Sequence, residues 1–173
     1  MGDHPLIVTA GLDAVSFSHF DEMRRRHFPS ERNFIPAHLT LFHHLPATEQ
    51  RAIRLALQEE ASRSGEITVS VANIFFMGFG CAYRIESDAL SALRKRLADQ
   101  FSPWLTKQDS QPFRPHITIQ NKAPAREAKE LFGELQASFA PFEARVEALL
   151  LWQYLGGPWE AAGSYPLYGS SDR

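Results

Sequence analysis

Short apolar runs and stretches with apolar residues every three or four positions follow one another along the chain, and the whole succession occurs twice. Leu6-Ile7-Val8 opens as a strand, and Asp13 then stands as an N-cap before a helix carrying Phe17, Phe20 and Met23. A short run around His38-Leu39-Thr40-Leu41, rich in apolar and β-branched residues, predicts a strand; a Pro-led helix follows, and Ile67 to Phe75 closes the first succession as a strand. The second begins with a strand at Cys81 to Glu86. Asp88 is the expected N-cap of a helix with Leu90, Leu93, Leu97 and Phe101 at spacings of three and four. His116-Ile117-Thr118-Ile119 predicts the next strand. After it come a Pro-led helix with the stripe Ala128, Leu131, Phe132, Leu135 and Phe139, and a closing strand from Val146 to Leu155. Lys107 to Pro112 reads as an exposed polar loop, and Gly156-Gly157-Pro158-Trp159 as a turn.

The residues themselves repeat. His38-Leu39-Thr40-Leu41 matches His116-Ile117-Thr118-Ile119 at an offset of 78, and the same offset pairs Pro46-Ala47-Thr48-Glu49 with Pro124-Ala125-Arg126-Glu127 and Leu57-Gln58 with Leu135-Gln136. Upstream, Asp13-Ala14-Val15-Ser16 matches Asp88-Ala89-Leu90-Ser91 at an offset of 75. A unit of roughly 75 residues is therefore duplicated, too few copies for a solenoid. Two copies imply two lobes related by a pseudo-twofold. Their expected limits are about 1–76 and 77–155, with a C-terminal segment at 156–173 and the whole chain acting as a single unit.

Composition narrows the classes. With 173 residues, 44% of them hydrophobic and 22% charged, the chain is long enough to bury a core and is neither disordered, collagenous nor coiled-coil. The lone Cys81 has no intramolecular disulfide partner and sits in an apolar strand as an inert core residue. No membrane span or leader pattern is present, so a cytoplasmic monomer with no obligate protein partner is expected. A net charge of −2 argues against coating long nucleic acid while leaving room for a small phosphorylated ligand or one end of an RNA.

The duplicated His-x-Thr carries the chemistry. In a strand the His and Thr share one face while the flanking Leu39 and Leu41, or Ile117 and Ile119, share the other. If the polar faces of the two lobes meet, His38, Thr40, His116 and Thr118 converge on one cleft. One neutral imidazole then accepts a proton from the attacking oxygen, the other donates one to the leaving oxygen, and the hydroxyls bind phosphoryl oxygens. Spacing leaves open which His is acid and which is base.

At these residues the sequence resembles the two-histidine (2H) phosphoesterases, the superfamily of bacterial 2′,5′ RNA ligases and cyclic nucleotide phosphodiesterases. The resemblance extends over nearly the whole chain, including a closing stretch with Trp159 and Tyr165-Pro166-Leu167. It implies a bilobal α+β fold, each lobe an antiparallel sheet with flanking helices around a central cleft. It also implies metal-independent opening of 2′,3′-cyclic phosphates, on small nucleotides or RNA ends, without a cofactor. By the same resemblance His38 and His116 are the catalytic pair and Thr40 and Thr118 the phosphate binders. Many members carry an Arg five residues after the second motif's His; here that residue is Asn121, with Lys122 beside it. Reversible 2′,5′ joining of RNA and non-catalytic holding of a nucleotide phosphate stand as alternatives.

Arg114 can bring positive charge near His116, and Tyr154 and Trp159 are candidate base-stacking contacts, whereas Trp152 is expected in the core. His43-His44 has no carboxylate or Cys at a zinc-like spacing, so no metal site is expected and a solvated loop is. Arg24-Arg25-Arg26-His27 ends a helix, where cations complement the dipole in a solvated terminus.

Overall fold

The computed structural model describes residues 4–168. β1 (Leu6–Leu12), α1 (Ala14–His27), β2 (Leu39–Leu45), α2 (Gln50–Arg63) and β3 (Ile67–Phe76) are followed by β4 (Cys81–Glu86), α3 (Asp88–Phe101), β5 (His116–Gln120), α4 (Ala125–Ser138) and β6 (Phe142–Tyr154); β7 (Trp159–Pro166) is last. The order strand, helix, strand, helix, strand thus occurs twice. The Asp13 carboxylate caps α1 by accepting from the Ser16 N–H at 3.1 Å. The cap of α3 is Ser87 rather than Asp88: the Ser87 hydroxyl accepts from the Leu90 N–H at 3.1 Å, and Asp88 lies in the first turn, where its charge suits the dipole. β7 is a strand that its Glu, Ala and Gly residues do not predict; its pairing with β6 from Tyr154–Trp159 to Ala148–Pro166 overrides weak propensity. No helix among the described residues is long and apolar enough to cross a membrane.

The seven strands form one wholly antiparallel sheet in the order β2-β1-β6-β3-β4-β5, with β7 also on β6. Pairing crosses the boundary expected at residues 76 and 77. The closing strand of each repeat adds to the opening strand of the other, β3 to β4 and β6 to β1, and β3 pairs with β6 between them. The helices cross as well, α1 lying against β5 and α4 against β3, while α2 packs on α3 and β7. Leu6, Val8, Leu39, Leu41, Ile53, Leu57, Leu93, Leu97, Leu149 and Leu151 are all buried in this core. Each such side chain contributes about 1.5–3 kcal/mol by leaving water.

The edge strands of the order, β2 and β5, approach one another as the sheet curls; His38 stands immediately before β2 and Thr40 within it, while His116 opens β5 and Thr118 follows. Two buried arginines tie this arrangement. Arg24 of α1 donates to the Thr118 carbonyl at 3.0 Å and to Asn33 Oδ1 at 2.8 Å, and Arg94 of α3 donates to the Leu41 carbonyl at 3.1 Å. Arg24 is therefore not part of a solvated helix end: it is 4% exposed and lies 4.1 Å over the Phe28 ring. The helical period explains the difference, since Arg24 falls four residues after buried Phe20, whereas Arg25 and Arg26 turn outward to Asp21 and Glu22. Burial lowers the Arg24 pKa to about 10, so the guanidinium stays charged at neutral pH.

Candidate active site

Each motif histidine is held in the same way. His38 Nδ1 lies 2.9 Å from the Pro36 carbonyl oxygen, and His116 Nδ1 lies 2.8 Å from that of Arg114. A carbonyl only accepts, so Nδ1 carries the proton in both rings and Nε2 is left for chemistry. The tether reaches two residues back in each repeat, which fixes matching tautomers without any partner from the other half. Thr40 is paired with Thr9 of β1 and Thr118 with Ala82 of β4, so both hydroxyls keep the face of their histidine.

His38, Thr40, His116 and Thr118 line one cavity of about 270 Å³, together with Ile7, His43, Met77, Asn121 and Trp159. The Thr118 hydroxyl meets the Met77 sulfur at 4.0 Å, a weak acceptor that a phosphoryl oxygen displaces readily. Each imidazole has an aromatic neighbour: Trp159 at 4.7 Å from His38, and Phe75 edge-on at 5.8 Å from His116. Burial is the main influence on His38; with the positive charges of Arg24, His116 and His43 added, it outweighs the hydrogen bond to Pro36 and pushes the pKa down to about 4.

A second cavity, of about 320 Å³, opens beside His38 and Trp159 and is mostly apolar, with Ala10, Leu12, Phe17, Leu150 and Trp152 in its wall. Trp152 is not a core residue. It is half-buried in that wall, with its indole N–H donating to the Thr9 hydroxyl at 2.9 Å. Trp159 belongs to both cavities, as the turn before it allows. Tyr154 sits opposite Trp159 in the β6–β7 ladder at 38% exposure and lines neither cavity. Arg114 faces a different depression, shared with Arg84, Ser87 and Ser91, and touches the site through its carbonyl alone. Pro115 accounts for this: β5 starts only at His116, so Arg114 does not extend the alternation.

Two site features depart from the residue pattern. His43 and His44 lie within β2 instead of a solvated loop, and His43 lines the cavity. The polar run at 107–112 is not wholly exposed, because Asp109 is 1% exposed and its carboxylate accepts from the His43 and His44 backbone and from His43 Nδ1. The available signal was the pair Leu41-Phe42: two consecutive apolar residues interrupt the alternation, and in the structure both are buried at a bulge. Among the described residues no group of three or more His, Cys, Asp or Glu is arranged to hold a metal ion. Cys81 is buried, which raises its thiol to about 11.

Comparison with known proteins adds the lineage. A provisionally named phosphoesterase of Geobacillus sp. (strain WCH70) is 29% identical over 147 residues, spanning 81% of this chain and 83% of that protein. Among solved structures, TT0787 of Thermus thermophilus superposes with a TM-score of 0.69 at 18% identity, covering 96% of this chain and 99% of that one. E. coli LigT complexed with 3′-AMP superposes with a TM-score of 0.64 at 19% identity, again covering 96% and 99%. These structures share the fold. The family model described as "2'-5' RNA ligase superfamily" matches residues 13–158, a span that takes in both His-x-Thr strands, and the chain accordingly belongs to that superfamily, the two-histidine phosphoesterases.

Proposed function

We propose that this chain opens 2′,3′-cyclic phosphates, on small nucleotides or RNA ends, by acid–base catalysis between His38 and His116, with Thr40 and Thr118 binding phosphoryl oxygens. The observation that carries the proposal is the pair of imidazoles with identical Nδ1 tethers lining one cavity. A neutral Nε2 accepts the proton of the attacking water as the oxygen–phosphorus bond forms. The protonated Nε2 of the other ring delivers its proton to the departing 3′ oxygen as that bond breaks, leaving a 2′-phosphate. The hydroxyls donate to the oxygens on which charge grows. Arg24 and Arg94, behind the two motif strands, add positive potential without touching the ligand.

The cavity of about 320 Å³ beside His38 suits the nucleoside part, with Trp159 between base and phosphate positions. LigT, solved with 3′-AMP and with phosphate, supports a nucleotide phosphate as the ligand class. On this proposal residues 1–173 are one unit, in which the repeats at about 1–76 and 77–155 each contribute half of the site. Turnover of 2′,3′-cyclic AMP tests it. His38→Ala and His116→Ala are each expected to lose at least about a hundredfold in kcat, and added chelator to change nothing. Unchanged turnover in both variants refutes the mechanism; joining of RNA halves as the dominant activity favours ligation, and tight phosphate binding without turnover favours a binding module.

A further inference from the structure

Among the described residues the cavity proposed to hold a phosphoryl group is lined by no Arg or Lys: its polar residues are His38, Thr40, His43, His116, Thr118 and Asn121. The acid–base mechanism occupies two of the three imidazoles, and the neutral amide of Asn121 brings no charge. His43 is left over. Its position follows from β2, where register steps between Val8↔Phe42 and Thr9↔Thr40 insert an extra residue. Leu41 and Phe42 both turn into the core, so His43, rather than Phe42, shares the cavity with His38 and Thr40.

The ring is also braced. His43 Nδ1 lies 2.9 Å from Asp109 Oδ1, the two carboxylate oxygens accept from the His43 backbone N–H at 2.9 and 3.0 Å, and Oδ2 accepts from that of His44 at 3.0 Å. Arg94 Nη2 in turn donates to the Asp109 carbonyl at 2.7 Å. Burial by itself would raise the Asp109 carboxyl, but the bonds from His43 and His44 outweigh it and hold the group below the usual carboxylate range. A carboxylate only accepts, so Nδ1 donates and Nε2 is turned to the other side of the ring. With a phosphoryl oxygen on Nε2–H, the ring is hydrogen-bonded between two anionic acceptors, a carboxylate and a phosphate.

We propose that His43, braced by Asp109, grips a non-bridging oxygen of the substrate phosphoryl group through Nε2, the part a guanidinium would otherwise play. His43 is then a substrate-binding residue and Asp109 a positioning residue. The inference rests on the phosphoesterase proposal above for the identity of the ligand. The titratable and charged groups around the ring are His38 from the segment just before β2, His116 from β5, Asp109 from the segment before β5, and Arg94 from α3 behind that carboxylate. Arg24 of α1 stands behind Thr118; among the described residues β1, the β3–β4 turn and β7 present Ile7, Met77 and Trp159.

The test measures two quantities on the full chain between pH 6 and 8.5: Kd for inorganic phosphate by calorimetry, and kcat and KM for 2′,3′-cyclic AMP. His43→Gln is expected to raise the phosphate Kd and the KM roughly tenfold to a hundredfold at pH 6, with kcat changed by less than about threefold. His43→Lys, which keeps a donor at this position, is expected to restore phosphate binding. Unaltered phosphate affinity in His43→Gln overturns the proposal, and so does a large loss of kcat at constant KM, which would assign the ring to proton transfer. Should His43→Gln fail to fold, His43→Asn is measured in its place, and unaltered phosphate affinity there refutes the grip. If phosphate binds through His43 but no cyclic nucleotide is opened, the phosphoesterase proposal fails while the grip stands.

Discussion

Replacing Asp109 by Asn separates a buried clasp from an exposed loop residue. The carboxylate is 1% exposed and accepts from the His43 and His44 backbone and the His43 ring at 2.9–3.0 Å. An amide keeps one acceptor. Oriented toward the backbone, its oxygen retains neutral versions of those bonds, while its NH₂ faces His43 Nδ1 and forces the ring into its other tautomer. A hydrogen bond to a charged group is worth about 1.5–3 kcal/mol and a neutral one about 0.5–1.5 kcal/mol. Weakening the set in this way costs about 2–4 kcal/mol, or roughly 4–16 °C in Tm for a chain of this size. Thermal denaturation at pH 7 reads the effect, with exposed Lys107→Ala as the comparison expected within about 0.5 kcal/mol. The sign with pH follows from the depressed Asp109 pKa: its contribution is present above the ordinary value of 3.8 and is lost as pH falls through the lower folded value. The difference between Asp109→Asn and the unmodified protein should therefore shrink below pH 3.8. A Tm within about 1 °C of the unmodified protein at pH 7 would refute the clasp.

Gly80→Ala should destabilise by about 1–3 kcal/mol or more in chemical denaturation, because a Cβ there would fall inside the Gln120 carbonyl and push β5 away from β4; an unchanged midpoint counts against that packing. Because the folded His38 pKa is about 4 against an ordinary 6.5, the unfolded chain binds more protons between those values. Stability should rise with pH across that window and level off above it, and a slope in His38→Gln as steep as in the unmodified protein would contradict this origin. Trp159→Ala should raise KM for 2′,3′-cyclic AMP by about five- to a hundredfold, the worth of one stacked base, while leaving inorganic phosphate affinity unchanged; equal losses for both ligands would place the indole at the phosphate instead.

Most elements were legible because their signals are local. Asp13 before an apolar helix face, Leu90, Leu93 and Leu97 at helical spacing, and Ile117 and Ile119 alternating with His116 and Thr118 each report a short-range preference that burial then rewards. The twice-repeated His-x-Thr pointed to four residues that line one cavity. Trp159 reached that cavity, whereas Arg114 and Tyr154 did not, and the difference lies in strand limits and ladder position rather than residue type. Buried Arg24 was hidden within a basic run because composition does not tell which member of the run follows Phe20 around the helix toward the core.

By itself the sequence determined the repeated element order, the apolar faces and the four motif residues that come to line one cavity. Tertiary structure decided how the halves are joined: the closing strands pair across repeats, and α1 and α4 lie against strands of the other repeat. It also turned His43 toward the histidine pair and buried Asp109 beneath it, 66 residues away along the chain. The physical reason is the same in each case. Strand pairing, a bulge's change of face and a buried carboxylate's partners depend on contacts between distant segments, whose free energy no local propensity records.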